Sequence, residues 1–415
     1  MLIRIHVKQL RLGMHVHELC GSWMDHPFWR GAFQLDDPKD LKTLLSTGIK
    51  EVWIDTAKGI GLDVESDDTE GESEADIAEE VETTLAQANK GIKMVERVNI
   101  AQEAARAVKI CSRSKQAVSS MFNEARMGKA LDAADALPIV EEISTSVMRN
   151  PGALISLARL KDKDDYTYMH SVAVCALMVS LSRQLGLDET QTRQAGLAGL
   201  LHDVGKMMIP LGILNKPGKL TDVEFQSVRN HPSQGHKMLL EGNGISEVAL
   251  DVCLHHHEKI DGSGYPEKLT GEQISLYAKM GAVCDVYDAI TSNRPYKSGW
   301  EPTESLRKMA EWSSGHFDRR IFDAFVKSLG IYPIGSLVKL ESNRLGVVIE
   351  QTGTSLLKPI VKVFFSIKSN GRIPSEIMDL SKPICKDKIV SHEDPVKWGI
   401  RDLQELWSDV PATPW

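Results

Sequence analysis

Hydrophobic and polar positions change rhythm three times along the chain. Over residues 2 to about 62 they alternate in short runs broken by turn residues. Ile3, Ile5 and Val7 form one run and Val52, Trp53 and Ile54 lie in another, a period that predicts strands. Only Asp40 to Ser46 reads as a helix there, so residues 1–62 form a small mixed domain dominated by strands. From Ile77 to about Leu137 the pattern is helical, with Ala-rich turns and few breakers. From Pro138 to about Tyr332 almost the whole chain is predicted helix. Pro151 opens one helix, as proline does at a first turn. Others cover Tyr166 to Leu185, Asp188 to His202, Thr221 to Arg229, Pro232 to Glu241, Ile245 to His257, Ile274 to Ser292, Pro302 to Trp312 and Asp318 to Leu329. After Pro333, β-branched runs return at Leu337 to Leu340, Gly346 to Ile349 and Val361 to Phe365, predicting a small antiparallel sheet. The fold class is multidomain and mainly α. A strand-rich domain (1–62) leads through an acidic linker (63–76) and a helical connector (77–137) to an all-helical domain (138–332), followed by a β appendage and tail (333–415). No internal repeat is visible.

Charge alters this picture in one place. Of a formal net charge of −8, residues 63–80 account for ten acidic side chains and no basic one, so the remainder is slightly positive. That excludes a nucleic-acid protein with a broad basic face. Asp63 to Asp76 has almost no apolar residue, cannot fold alone and serves as a linker. At 415 residues there is chain enough for two or three domains, one with a large core. The longest apolar run, Val172 to Val179, is too short to span a bilayer, and the residues after Met1 lack a signal-peptide core. Six scattered cysteines read as reduced, buried small residues. A cytoplasmic location is expected, and the long connector suits pairing with a copy of itself as a homodimer.

The chemistry gathers around Gly199-Leu200-Leu201-His202-Asp203-Val204-Gly205-Lys206, an apolar helical run that ends on a histidine and a carboxylate. Such groups are costly to bury unless they bind something, usually a metal. His170 lies one helix upstream; His231, His256, His257 and Asp285 follow downstream, most in or beside apolar helices. Five histidines and two aspartates without cysteine suit Fe, Mn or Zn. Asp203, with two oxygens, can bridge a pair of ions about 3.5–4 Å apart. Neighbours on a helix point ~100° apart, so His255, His256 and His257 cannot all face one site. His256 and His257 continue the buried face of Ala249, Leu250, Cys253 and Leu254, and His255 falls toward Asp251 and the outside. Groups suited to an anion stand nearby: Lys206, Arg294 and Lys297, with Asp288 on the same helix face as Asp285 and Tyr265 in a glycine-rich loop. Taken singly, each basic residue would be an ordinary surface side chain. His26, in a His-Pro beside aromatics, reads as a packed turn.

His202-Asp203 with Gly205-Lys206, Ile213 to Thr221, His256-His257-Glu258-Lys259-Ile260-Asp261-Gly262-Ser263-Gly264-Tyr265-Pro266 and the run Asp285 to Lys297 resemble the HD-GYP family of bacterial cyclic di-GMP phosphodiesterases. The likeness covers about residues 138–332, and the first 62 residues resemble a domain of unknown function often found in front of such domains. It implies an HD-type metallohydrolase fold and hydrolysis of cyclic di-GMP to pGpG and on to GMP, lowering the level of that second messenger. It implies His170, His202, Asp203, His231, His256, His257 and Asp285 as metal ligands. It places Lys206, Tyr265, Asp288, Arg294 and Lys297 at the dinucleotide, with Asp203 and Lys206 acting in catalysis. Some members place a glutamate four residues before the first histidine, where it helps hold a third metal. Tyr166 stands there instead, which implies two divalent ions, Fe or Mn favoured over Zn, Mg, Ni or Co, with Asp164 or Asp165 as compensating ligands if a third is held. Signalling partners would dock through the N-terminal domain or the Gly-Tyr-Pro loop. Two alternatives stand beside this reading: an HD-type phosphohydrolase on another nucleotide, and a non-catalytic cyclic di-GMP receptor.

Overall fold

The computed structural model describes residues 2–19, 32–46, 49–61, 98–159, 166–216, 218, 220–292, 299–313, 315–353 and 355–411. The predicted linker at 63–76, residues 77–97 of the connector, His26, Asp164, Asp165, Arg294 and Lys297 lie outside the described residues, as does the side chain of Tyr166.

The alternation at the N-terminus becomes a four-stranded antiparallel sheet. β1 (Leu2–His6), β2 (His15–Leu19), β3 (Phe33–Gln34) and β4 (Glu51–Asp55) lie in the order β1-β4-β2-β3. Ile5, Val16, Val52 and Ile54 share a small core with Leu44 of the helix Pro38–Ser46. A period of two puts Trp53 on the opposite face from Val52 and Ile54. There it joins the much larger core of the helical body.

That body is built around the helix Tyr166–Leu185, which is apolar on every side between Val172 and Val179, all of them buried. A helix with no polar stripe must be surrounded. Helices Pro151–Arg159, Glu189–Leu201, Leu276–Thr291, Ile100–Arg126, Ala133–Arg149 and Arg319–Leu329 pack around it. Several predicted first residues turn out to be caps. Asp188 and Thr221 form capping boxes with Gln191 and Glu224, and Asp318 accepts from the first-turn amides of its helix.

The helix Ile100–Arg126, expected in a connector free to pair with a second copy, turns Ala104, Ala107, Cys111, Val118 and Phe122 into the same core. Buried Glu103 holds it to the neighbouring helix, accepting from Ser146 Oγ at 2.7 Å and from Arg149 at 2.6 and 2.7 Å. The helix Ile100–Arg126 therefore shares the core of the helical body. An apolar stripe looks the same in sequence whether a partner chain or the protein's own helices cover it.

At the C-terminus, β5 (Leu337–Leu340), β6 (Arg344–Glu350), β7 (Ile360–Ser366), β8 (Gly371–Asp379) and β9 (Ile389–His392) form an antiparallel sheet ordered β8-β7-β6-β5-β9. Its Leu337, Val347, Val361 and Phe364 join the helical core. Among the described residues no helix is long and apolar enough to cross a membrane. Cys111, Cys175, Cys253 and Cys284 are buried as expected, and Cys385 is partly exposed.

Candidate metal centre

The end of the helix Glu189–Leu201 delivers His202 and Asp203 into the interior because the chain tightens there into a 3-10 turn, Val204–Met208. Gly205 lets that turn lie against the next helix, His231–Leu240: a Cβ on Gly205 would fall 1.9 Å from the His231 carbonyl oxygen and 2.4 Å from the Gly235 nitrogen. The helix Glu247–His255 ends at His256 and His257, and Leu276–Thr291 carries Asp285. His170, His202, Asp203, His231, His256, His257 and Asp285 are brought together, each at most 6% exposed.

Four of the five imidazoles are tied back by Nδ1. His170 donates to Asp288 Oδ2 at 2.6 Å, His202 to the Gly199 carbonyl at 2.8 Å and His231 to that of Val228 at 2.7 Å. His256 donates to the carbonyls of Val252 and Cys253, both at 3.0 Å. Such bonds fix the tautomer and turn each Nε2 lone pair toward the centre. The carboxylates divide the imidazoles into groups. Asp203 Oδ2 lies 3.4 Å from Nε2 of both His170 and His202, while Oδ1 lies 3.2 Å from His231 Nε2 and 3.8 Å from His256 Nε2. Asp285 Oδ1 is 2.9 Å from His170 Nε2, and Oδ2 is 3.7 Å from His257 Nδ1.

Electrostatics separate these groups further. Burial opposes ionisation of Asp203 and Asp285, but Lys206 and the histidines beside the first, and His170 and His202 beside the second, hold both carboxyls well below their usual range. Burial and the neighbouring imidazoles push His256 down to about 3 and His257 well below its ordinary value, so both are neutral. His202 Nε2 and His257 Nε2 have no hydrogen-bond partner among the described residues. Neutral His256 turns its Nε2 to within 3.3 Å of His231 Nε2 and 3.8 Å of the ionised Asp203, while the carboxylates outweigh burial to raise His170 and push His202 up to about 10, so the cluster draws in positive charge, from protons or from a metal ion. Two groups of three, His170-His202-Asp285 and His231-His256-His257, each bring their ligand atoms within 4.8 Å of one another. The residues fit divalent metal.

Other expected residues fall in varied places. Lys206 pairs through Nζ with Asp203 Oδ2 and keeps 21% of its side chain exposed. Tyr265 lays its ring on that of His257, centroids 4.8 Å apart. His255 turns away and bonds Asp251 at 2.8 Å, as its helix position predicts. Asp288 corrects an expectation. Placed at the dinucleotide from sequence, it is 2% exposed and lies behind His170, with Ser292 Oγ 3.3 Å from its other oxygen. A carboxylate so enclosed is placed to orient the imidazole. Two contributors were given no role from sequence, although Glu258 stands inside the motif that carries the resemblance. Arg229 stacks its guanidinium 4.4 Å over the Tyr265 ring. Buried Glu258 accepts from the amides of Glu267, Lys268 and Leu269 at 2.7–3.0 Å, anchoring the loop that bears Tyr265.

Comparison with known proteins adds the following. Residues 2–136 match a domain of unknown function (DUF3391), and residues 150–321 match the HD domain. The cyclic di-GMP phosphodiesterase PA4108 of Pseudomonas aeruginosa is 56% identical over 411 residues, 99% of this chain and 96% of that one. The cyclic di-GMP phosphodiesterase response regulator RpfG of Xanthomonas campestris pv. campestris is 42% identical over 148 residues, 35% of this chain and 39% of its own length. The 3′3′-cGAMP-specific phosphodiesterase 1 of Vibrio cholerae is 36% identical over 167 residues, 40% of this chain and 38% of its own.

Proposed function

The chain belongs to the HD-GYP family of phosphodiesterases, and on that premise we propose that it hydrolyses cyclic di-GMP, cutting a phosphodiester with water to give linear pGpG and then GMP. One observation carries the reading: Asp203 stands between two histidine groups with one carboxylate oxygen toward each. In this assignment His170, His202 and Asp285 would hold one divalent ion, His231, His256 and His257 a second, and Asp203 would span both. Imidazole and carboxylate donors favour Fe or Mn. Bound ions of this kind lower the pKa of water and offset charge on phosphoryl oxygens.

The chain's own groups do the rest. Asp288 and the backbone carbonyls hold the imidazoles in one orientation, so little reorganisation is needed at the moment of reaction. Lys206, partly exposed beside Asp203, sets an ammonium where charge grows on the phosphodiester. Tyr265 limits the tilt of His257 and is itself held by Arg229. Arg294 and Lys297 are assigned to the phosphates, following the family motif.

The test is metal analysis of the purified chain together with chromatography of timed digests of cyclic di-GMP and, as competing substrate, 3′3′-cGAMP. Two ions per chain after anaerobic loading with Fe(II) or Mn(II), and appearance of pGpG before GMP, are expected. Preferred turnover of 3′3′-cGAMP would replace the substrate. Full metal loading with binding but no product would favour the receptor reading. Three ions per chain would overturn the two-metal assignment and leave hydrolysis standing.

A further inference from the structure

The sheet of the N-terminal domain is two-sided, and its outer face lies on the helical body. Strand register places Arg4 of β1 and Glu18 of β2 opposite Trp53 of β4. Trp53, 6% exposed, is the apolar anchor of that face. Glu18 accepts from Lys308 Nζ at 2.9 Å, and Lys308 belongs to the helix Pro302–Trp312. Just before β4, Lys50 pairs its Nζ with Asp261 Oδ2.

Asp261 opens the loop that carries Tyr265. Its Oδ1 accepts from the Ser263 amide at 2.9 Å and the Ser263 hydroxyl at 2.6 Å, and its own amide donates to the Gly315 carbonyl at 3.1 Å. A bridge to Thr270 closes the loop. Within it the Tyr265 amide donates to the His257 carbonyl at 3.2 Å while the ring leans on the His257 imidazole, tilted 34° to it. Gly315 presses close, since a Cβ there would lie 3.2 Å from Asp261 Oδ2. Only three residues, Gly262 to Gly264, thus separate the N-terminal domain's contact at Asp261 from the tyrosine on His257, along a segment held at both ends.

We propose that Lys50 is a positioning residue for the Tyr265 loop: through Asp261 the N-terminal domain sets the pose of Tyr265 over His257 and so tunes hydrolysis at a centre it does not enter. The proposal rests on the phosphodiesterase reading for its kinetic arm, and its structural arm stands without it. Lys50 keeps 61% of its side chain in solvent, so the pair is screened and its effect is small.

The experiment uses the full-length, metal-loaded chain and the variants Lys50→Ala, Lys50→Arg, Asp261→Asn and Lys50→Ala/Asp261→Asn. Metal per chain, kcat and KM for cyclic di-GMP, and hydrogen exchange of residues 258–270 are measured. Lys50→Ala is expected to lower kcat/KM about two- to five-fold at unchanged metal content. It should speed exchange within 261–270, Lys50→Arg should restore both, and the alanine should add nothing once Asp261 is asparagine. Equal exchange of 261–270 in Lys50→Ala and wild type would overturn the proposal, as would effects of the two single variants that multiply in the double. A wild type inert toward cyclic di-GMP would refute the substrate reading, and the exchange result would still decide the role of Lys50.

Discussion

Asp203 and Asp288 are both buried carboxylates beside His170, yet they face it from opposite sides, Asp203 at Nε2 and Asp288 at Nδ1. Their replacements should therefore fail differently. Asp203→Ala removes the proposed bridge, so metal content should fall and hydrolysis drop by several powers of ten. Asp288→Asn keeps the shape but weakens the hold on His170, so metal affinity should fall about 10–100-fold with KM unchanged once metal is saturating. Titration of Mn(II) into both variants, with kinetics at saturating metal, checks this; a raised KM for Asp288→Asn at full occupancy would return that residue to the substrate. Arg294→Ala and Lys297→Ala should behave in the opposite way, raising KM or cutting turnover about 10–100-fold at wild-type metal content, since a charge-assisted contact is worth ~1.5–3 kcal/mol. Metal lost in step with activity would move them into the metal shell.

At the scale of elements, the Tyr265 loop is the part most open to adjustment, and its contact with Lys50 makes a prediction about pH. Burial raises the Asp261 carboxyl, but Lys50 and Ser263 together bring it below its ordinary value. A carboxyl lowered on folding contributes above its unfolded pKa, and the contribution disappears as pH falls through the folded value. Here that window lies below the usual carboxylate range, far under neutral. The ratio of kcat/KM between wild type and Lys50→Ala should consequently be flat from pH 6 to 8. A ratio that climbs or falls across that interval, measured at constant metal occupancy, would mean that another titrating group governs the contact. The elements also show where sequence patterning was readable. Helix positions came through within a residue or two because a 3.6-residue apolar period, ended by Asp, Thr or Pro, is a local signal. β8 and β9 were not anticipated. Both are edge strands, β8 carries a proline and is mostly exposed, and an edge strand has no second buried neighbour to impose alternation.

For the whole molecule the decisive feature is one large core shared by the helix Ile100–Arg126, the HD helices and the C-terminal sheet. A chain cut to 138–332, the predicted catalytic domain, loses Phe122 and its neighbours on one side and the sheet on the other. It should not show a cooperative thermal transition. A chain of 98–411 should, because the N-terminal sheet keeps its own small core and lends the helical body chiefly Trp53. Circular dichroism melts of the two truncations test this; cooperative unfolding of 138–332 would restore the connector as a separate element.

By itself the sequence determined the order of strand and helix, the residue types of the centre and the exclusion of His255, because each depends on spacing within one segment. The seven residues that gather at the centre stood out because histidines and aspartates in or beside apolar helices are costly to bury unless they bind something. Only the tertiary structure decided which side of His170 each aspartate takes, a matter of atoms 118 residues apart for Asp288. It also decided that the Ile100–Arg126 stripe is covered from within, that Trp53 belongs to a different core from Val52 and Ile54, and that Lys50 reaches the Tyr265 loop. A periodic pattern records that a face must be buried, whereas what buries it depends on how distant segments pack, and that information is not carried by any one stretch of chain.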